Sequence, residues 1–96
     1  MSIELPDEVA RAYRLEQFHD HLALERGSSG NTQEAYARDV ARFAAFARAS
    51  GAAQPGDATP RALREFVFHL KDLGLAPASI RRTVSAVRTY YRFLLE

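Results

Sequence analysis

The chain divides into stretches in which apolar residues recur about every 3.6 positions, separated by short segments rich in glycine, serine and proline. This spacing predicts four α-helices, at about 7–26, 31–50, 60–73 and 77–95. Gly27, Gly51 and Gly74 follow the first three stretches, where a glycine commonly ends a helix. No stretch alternates with a period of two, so the pattern predicts an all-α fold, a compact four-helix bundle.

Helix beginnings are marked by residues that cap free backbone N–H groups. Asn31 or Thr32 is suited to cap the second predicted helix, and Thr59 the third. Pro60 follows at the first helical position, where its missing N–H has no cost. "GSSGN", residues 27–31, is predicted to be a loop. The helix start beside its serines is a candidate phosphate site, with capping alone as the alternative.

The apolar faces of the four predicted helices define the expected core. In chain order, these residues are Phe18, Leu22, Tyr36, Val40, Phe43, Leu63, Phe66, Leu70, Ile80, Val84, Val87 and Tyr91. With 96 residues, 47% of them hydrophobic, the chain suffices for one small domain, 1–96, in which residues 1–6 are expected to be flexible.

Composition excludes several classes of protein and site. The sequence has no cysteine, which excludes disulfide frameworks and thiolate zinc sites. No stretch approaches the roughly 18 apolar residues of a membrane span and no signal peptide is recognisable, so a cytoplasmic protein without a membrane partner is expected. The net charge of +1 is too small to indicate a nucleic-acid partner, so that argument depends on where the charges lie.

The last predicted helix carries more arginine than its stability requires. On a helical wheel, Arg81, Arg88 and Arg92 lie within about 60° of one another, about a quarter turn from the apolar face. Ser85 lies between them, Arg82 is predicted to point opposite the core, and no acidic residue occurs from 73 to 95. Guanidinium groups one turn apart suit a phosphate backbone, because each donates a forked pair of hydrogen bonds. The alternative is a solvated face whose arginines favour the C-terminal helix dipole.

The second predicted helix repeats this arrangement more weakly. Arg38 and Arg42 share one face, away from the apolar residues. Glu34 and Asp39 lie close enough along the helix to pair with them, and this pairing is the favoured interpretation. Contact of these two arginines with phosphate is the alternative.

The other titratable side chains indicate structural roles. Tyr91 lies on the predicted apolar face and Tyr90 beside it; a phenol with a pKa near 10 is a poor nucleophile, and no His-x-x-Arg sequence accompanies the pair. His19 and His21 point to nearly opposite sides of a helix and cannot clamp a metal together, and His69 is expected to complete packing. We therefore predict no cofactor and no metal, and the chain by itself is not expected to be an enzyme.

Two runs also carry a family resemblance. "NTQEAYARDVARF", residues 31–43, resembles the Thr-x-x-x-Tyr-x-x-Asp-aliphatic-x-x-Phe run in the N-terminal core-binding domain of tyrosine recombinases, the phage-integrase and Xer-like family. "SIRRTVSAVRTYYRFL", residues 79–94, is similar to that domain's second signature, Ser/Thr-Ile-x-Arg-x-aliphatic-Ser-Ala-aliphatic-Arg with paired aromatics. The resemblance covers about residues 15–95 and implies a SAM-like helical bundle that forms one jaw of a clamp around double-stranded DNA.

The resemblance also implies a division of labour and a set of partners. Strand cleavage in the family belongs to a separate C-terminal catalytic domain, so no catalytic residue is assigned here. The implied partners are double-stranded DNA, that catalytic domain and other recombinase protomers in a DNA-bound assembly. The second and fourth helices are implied to meet the duplex. The candidate DNA-binding residues are Asn31, Thr32, Arg38, Arg42, Ser79, Arg81, Arg82, Ser85, Arg88 and Arg92.

Two other functions remain open. The third and fourth helices and the turn at 74–77 have the lengths of a helix-turn-helix transcriptional regulator, whose base-reading arginines would lie near the start of the last helix. Alternatively, Phe46 and Phe68, if they lie off the core faces, would belong to the partner surface of a helical protein-interaction module. The paired signatures favour the recombinase domain.

Overall fold

The chain folds into five α-helices and one 3-10 turn within the part that the computed structural model describes, residues 5–25 and 29–96. The helices are α1 Asp7–Ala12, α2 Leu15–Leu24, α3 Gly30–Ala49, α4 Pro60–Asp72 and α5 Pro77–Leu94, with the 3-10 turn at Pro55–Asp57. No strand occurs in these residues, so the all-α prediction is confirmed, while the count of four helices is wrong. Within the same residues, no helix is both long and apolar enough to cross a membrane.

The first predicted helix is broken in two at Tyr13 and Arg14. Arg14 adopts a left-handed backbone, with φ 54° and ψ 44°. The break has a geometric reason, because in one continuous helix Val9 and Tyr13 would lie roughly opposite Phe18 and Leu22. With the break, all four side chains are buried. α2 ends at Leu24, two residues before the predicted end at 26, because Glu25 already has an extended backbone. Gly27 and the flexibility expected of residues 1–4 lie outside the described residues.

The caps agree in part with the predictions. The Thr59 hydroxyl accepts a hydrogen bond from the Ala62 N–H at 3.2 Å, with Pro60 at the first position of α4, as predicted. For α3, however, the cap is Ser29, whose hydroxyl accepts from the Thr32 N–H at 3.1 Å. The helix therefore begins one residue earlier than predicted, and Asn31 and Thr32 lie in its first turn.

The core lies around α3, which contacts each of the other four helices. Eight of the predicted core residues are buried: Phe18, Leu22, Val40, Phe43, Phe66, Leu70, Ile80 and Val87. The remaining four, Tyr36, Leu63, Val84 and Tyr91, are half-buried at its edge. The structure adds buried side chains that the periodicity did not select, among them Val9, Tyr13, Ala44, Ala47, Ala86 and Tyr90. Edge-to-face aromatic pairs join the helices, with ring centroids 5.2 Å apart for Phe18 and Tyr90 and 5.5 Å for Phe43 and Phe66.

Candidate nucleic-acid interface

All of the candidate DNA-binding residues lie on two helices, α3 and α5. α5 is covered by α2, α3 and α4, and these contacts bury Ile80, Thr83, Ala86, Val87 and Tyr90. The buried face includes positions 83, 86 and 90, so it is rotated about the helix axis by roughly 45° relative to the predicted face. The arginines at 81, 88 and 92 consequently lie nearly opposite the core, rather than a quarter turn from it.

These three arginines, Arg81, Arg88 and Arg92, form what we call the outer arginine row. Each is exposed, and so is Ser85 between them. None of the three guanidinium groups forms an ion pair with a carboxylate of the described residues. Repulsion along the row is therefore not relieved by acidic neighbours in that part of the chain.

Arg88 lies at the edge of the apolar core. Arg88 lines an apolar cavity of about 280 Å³ together with Phe43, Leu63, Val87 and Tyr91. A long cationic side chain in this position packs its stem on apolar surface while its charged group stays in water. Arg88 as a whole is exposed.

Arg82 differs from the outer arginine row, and its predicted position opposite the core is wrong. Its Nε donates to Oδ2 of Asp39 at 2.9 Å, and its Nη2 donates to Oδ1 at 3.0 Å. Asp39 is 1% exposed, whereas the side chain of Arg82 retains 39% exposure. The hydrogen bonds that Arg82 donates to Asp39 raise the pKa of Arg82 above its usual value. Arg82 is thus half of a partly buried ion pair between α3 and α5.

Arg38 and Arg42 of α3 do not form the ion pairs with Glu34 and Asp39 that were predicted from the sequence. Arg38 is exposed and Arg42 is half-buried, and neither forms an ion pair within residues 5–25 and 29–96. Asp39, which was expected to pair with them, faces inward to Arg82. The favoured interpretation of paired charges along this helix is therefore wrong in the described structure.

The polar residues at the two helix starts are engaged in local contacts. The hydroxyls of Ser29 and Thr32 lie 3.0 Å apart, and Asn31 and Thr32 are exposed. Ser79 is half-buried, and its carbonyl accepts a hydrogen bond from the Thr83 hydroxyl at 3.0 Å. Ser28, part of the phosphate site considered at this helix start, lies outside the described residues. Phosphate binding here stays a prediction.

The paired tyrosines exchange their predicted places relative to the core. Tyr90 is fully buried and donates its hydroxyl hydrogen bond to the Tyr13 carbonyl at 2.6 Å. Tyr91 is half-buried and donates to the Pro55 carbonyl at 2.8 Å. Burial raises the pKa of both phenols, that of Tyr91 to about 12. Both groups are protonated donors at neutral pH, which suits structural roles.

The histidines do not converge on a site. His19 is exposed, and His21 lies 3.3 Å from a carboxylate oxygen of Glu25. His69 is exposed but stacks at a tilt on Phe46, with ring centroids 5.3 Å apart. Among the described residues, no three His, Cys, Asp or Glu side chains are grouped so that they would hold a metal ion.

Sequence reasoning missed the role of Asp39. A signal for it was present, because Asp39 lies one turn from Ala35 and from Phe43, and both of these are buried. An acidic residue within an apolar face needs a partner, since an unpaired buried charge is strongly unfavourable. The sequence does not reveal that the partner lies 43 positions away.

Comparison with known proteins places the chain among recombinase domains. The family model for the phage integrase N-terminal SAM-like domain matches residues 15–96. The chain is 41% identical over 81 residues to the tyrosine recombinase XerD of Chlorobaculum tepidum, covering 84% of this chain and 26% of that protein. It is 37% identical over 91 residues to the tyrosine recombinase XerC of Xanthomonas campestris pv. campestris, covering 95% and 28%. The chain thus spans about a quarter of the length of these relatives. No solved structure matches it significantly.

Proposed function

The chain belongs to the family of phage integrase N-terminal SAM-like domains, and we propose that it binds double-stranded DNA as one jaw of the clamp of a tyrosine recombinase. The observation that carries this proposal is the outer arginine row, exposed on α5 and without carboxylate partners among the described residues. Along α5, Arg81 and Arg88 are two turns apart and Arg88 and Arg92 are one turn apart, a spacing that can follow a phosphate backbone. Such contacts position a protein on the duplex. Arg38 and Arg42 on α3 support the same surface.

Catalysis is assigned elsewhere in this proposal. The relatives are named tyrosine recombinases and are about three times as long as this chain. Of the tyrosines here, Tyr90 is buried and Tyr91 donates its hydroxyl to a backbone carbonyl, so neither is poised to attack phosphate. Strand cleavage would then come from a catalytic domain, with other protomers completing the DNA-bound assembly. Tested alone, the chain should neither nick supercoiled DNA nor form a covalent adduct with it.

Titration with duplex DNA at two salt concentrations tests the proposal. Wild type should bind weakly, because half of the clamp is absent, and its affinity should fall steeply with salt. Replacing Arg81, Arg88 and Arg92 together with Gln should remove most of this binding and lower the log–log salt slope by about 0.9 for each phosphate that is no longer neutralised. Circular dichroism must show that the variant remains folded.

A matched control distinguishes the effect of this particular surface on DNA affinity from the effect of the total charge of the protein. Arg11, Arg48 and Arg61 are exposed, lie on three different helices and are outside the candidate set. Their joint replacement with Gln removes the same charge as the first triple variant. We expect this control to retain most of the wild-type affinity. Equal losses in the two triple variants, or unchanged binding in the first, would refute the assignment of the surface.

A protein-interaction module is the second candidate, because two large apolar side chains of the α4 region are exposed. Phe68 is 63% exposed and Leu73 is 62% exposed. Phe46, the other expected partner residue, instead packs against the core beside Phe66. This function predicts no salt-dependent DNA binding, and the helix-turn-helix alternative predicts a dimer that binds a palindrome. The titrations therefore separate the interaction module from the two DNA-binding functions, and the oligomeric state on a palindromic duplex separates those two.

A further inference from the structure

The ion pair between Asp39 and Arg82 joins the two helices that carry every candidate DNA-binding residue. Arg82 holds both carboxylate oxygens, at 2.9 Å and 3.0 Å. With Asp39 only 1% exposed, this fork replaces the water that the carboxylate loses on folding. The pair therefore fixes the Arg82 side chain in one orientation, and it also ties α5 to α3.

One edge of the Arg82 guanidinium remains free for another acceptor. A guanidinium has five N–H donors in a planar fork. Asp39 takes the Nε–H and one N–H of Nη2, so the second N–H of Nη2 and both of Nη1 are left. Among the described residues, no other side chain accepts a hydrogen bond from Arg82. Because the group is planar, these donors point away from Asp39, and 39% of the side chain is exposed.

We propose that Asp39 is a positioning residue for DNA binding: it holds the Nε/Nη2 edge of Arg82 and so presents the Nη1/Nη2 edge to a backbone phosphate of the duplex. This inference rests on the DNA-binding function proposed above. An arginine already held on one edge loses little additional rotamer freedom when it binds, so more of the contact energy appears as affinity. Asp39 itself does not touch DNA in this arrangement.

Whether Asp39→Asn raises or lowers DNA affinity distinguishes a positioning role of Asp39 from an effect of its charge alone. A carboxylate near DNA repels phosphate, so removing its charge by Asp39→Asn should raise affinity if charge alone matters. If Asp39 positions Arg82, the same substitution lowers affinity even though the protein becomes more positive. Asn has nearly the same shape but offers the fork only one oxygen and no charge.

Duplex titrations of four variants at two salt concentrations test the inference. We expect Asp39→Asn and Arg82→Gln each to weaken binding by about five- to tenfold, the order of effect of one arginine contact. The double variant should lose no more than Arg82→Gln alone, because either change removes the same unit. Arg82→Gln should also lower the log–log salt slope by about one. Arg82→Lys keeps the charge but has no planar fork, so it should lose affinity as Arg82→Gln does.

Two controls account for charge and for stability. Glu65→Gln removes the carboxylate of the exposed Arg61–Glu65 pair, which has a separation of 3.0 Å, and should leave affinity unchanged or slightly higher. Tyr13→Phe removes a buried hydrogen bond to the Ala52 carbonyl, and the folded protein should bind DNA as wild type does. A loss of affinity in Tyr13→Phe equal to that in Asp39→Asn would attribute both to destabilisation and overturn the inference.

The outcomes distinguish the inference from the function on which it rests. If wild type shows no salt-dependent DNA binding, the proposed function fails and the inference fails with it. If wild type binds and Asp39→Asn binds equally or more tightly, only the positioning role is overturned. Should Asp39→Asn not fold, the Arg82→Lys variant decides: affinity near that of wild type rejects the role, and affinity near that of Arg82→Gln supports it.

Discussion

At the scale of single residues, tyrosine hydroxyls connect segments that are distant in sequence. Tyr90 donates to the Tyr13 carbonyl, Tyr13 donates to the Ala52 carbonyl at 2.7 Å, and Tyr91 donates to the Pro55 carbonyl. The first two hydrogen bonds are buried, where water cannot replace them. They hold the end of α1 and the loop after α3 against α5.

Tyr90→Phe should destabilise the protein by about 1–3 kcal/mol, because it leaves the buried Tyr13 carbonyl without its partner. Urea unfolding measures the change, and Tyr91→Phe is the matched control. Tyr91 is half-buried, so water can replace its hydroxyl and the loss should be smaller, about 0.5–1.5 kcal/mol. DNA affinity of the folded Tyr90→Phe protein should equal that of wild type; a clear decrease would contradict the structural role.

The buried phenols also predict an alkaline loss of stability. Burial raises the pKa of Tyr91 from 10.0 to about 12 and that of Tyr90 further. The folded state therefore holds these protons more tightly than the unfolded state, so this contribution is present below pH 10 and is lost as pH rises from about 10 through 12. Unfolding monitored by circular dichroism across this range should show the loss, and Tyr91→Phe should make it shallower. Ionisation of all four tyrosines near pH 10 in the folded protein would contradict the prediction.

At the scale of elements, the turn between α4 and α5 depends on a left-handed residue. Gly74 has φ +84°. Its N–H donates to the Lys71 carbonyl at 2.9 Å, and the Leu75 N–H donates to the Leu70 carbonyl at 3.2 Å, so the end of α4 is closed as in a Schellman motif. This turn sets where α5, with its outer arginine row, begins.

Gly74→Ala should destabilise the protein by about 1–2 kcal/mol, the usual cost of a left-handed backbone for an L-residue with a side chain. An added Cβ would meet nothing within 4 Å, so the effect comes from the backbone alone. Gly56→Ala is the matched control, because it has equal space and no positive φ, and its change should stay within about 0.5 kcal/mol. Thermal unfolding of both variants measures the difference, and equal shifts of the two midpoints would contradict the prediction.

At the scale of the whole molecule, one cluster of aromatic side chains packs α4 and α5 against α3. Phe66 of α4 contacts Phe43 and Phe46 of α3, with ring centroids 5.5 Å and 5.3 Å apart. Phe43 in turn contacts Tyr91 of α5, at 6.1 Å between ring centroids. The core of this small domain therefore depends strongly on a few large side chains.

Phe66→Ala should cost about 3–5 kcal/mol, since Phe66 is 1% exposed and its removal leaves a cavity. That is a large part of the roughly 5–15 kcal/mol by which a domain of this kind is stable, so partial unfolding at ambient temperature is expected. Phe68→Ala, on the same helix but 63% exposed, should change stability by no more than about 0.5 kcal/mol. Similar urea midpoints for the two variants would show that Phe66 is not central.

The bounds of a helix were predictable where the helix is amphipathic along its whole length. α4 and α5 end within one residue of their predicted bounds, because Thr59, Pro60, Gly74 and Pro77 mark their limits locally. The break between α1 and α2 was missed, although the opposed apolar faces of 9–13 and 18–22 indicate it. Of the candidate site, the exposure of the outer arginine row followed from periodicity, but the pairing of Arg82 did not.

The sequence by itself determined the all-α class, most helix bounds and the exposure of Arg81, Arg88 and Arg92, because these depend on contacts within one helix or on apolar spacing. Only the tertiary structure decided that Arg82 pairs with Asp39 and that Tyr90, rather than Tyr91, fills the core. The atoms concerned are 43 positions apart for the ion pair and 77 for the Tyr90 hydrogen bond. Such contacts depend on how helices cross, and the period of one helix carries no information about the angle and depth at which another packs on it.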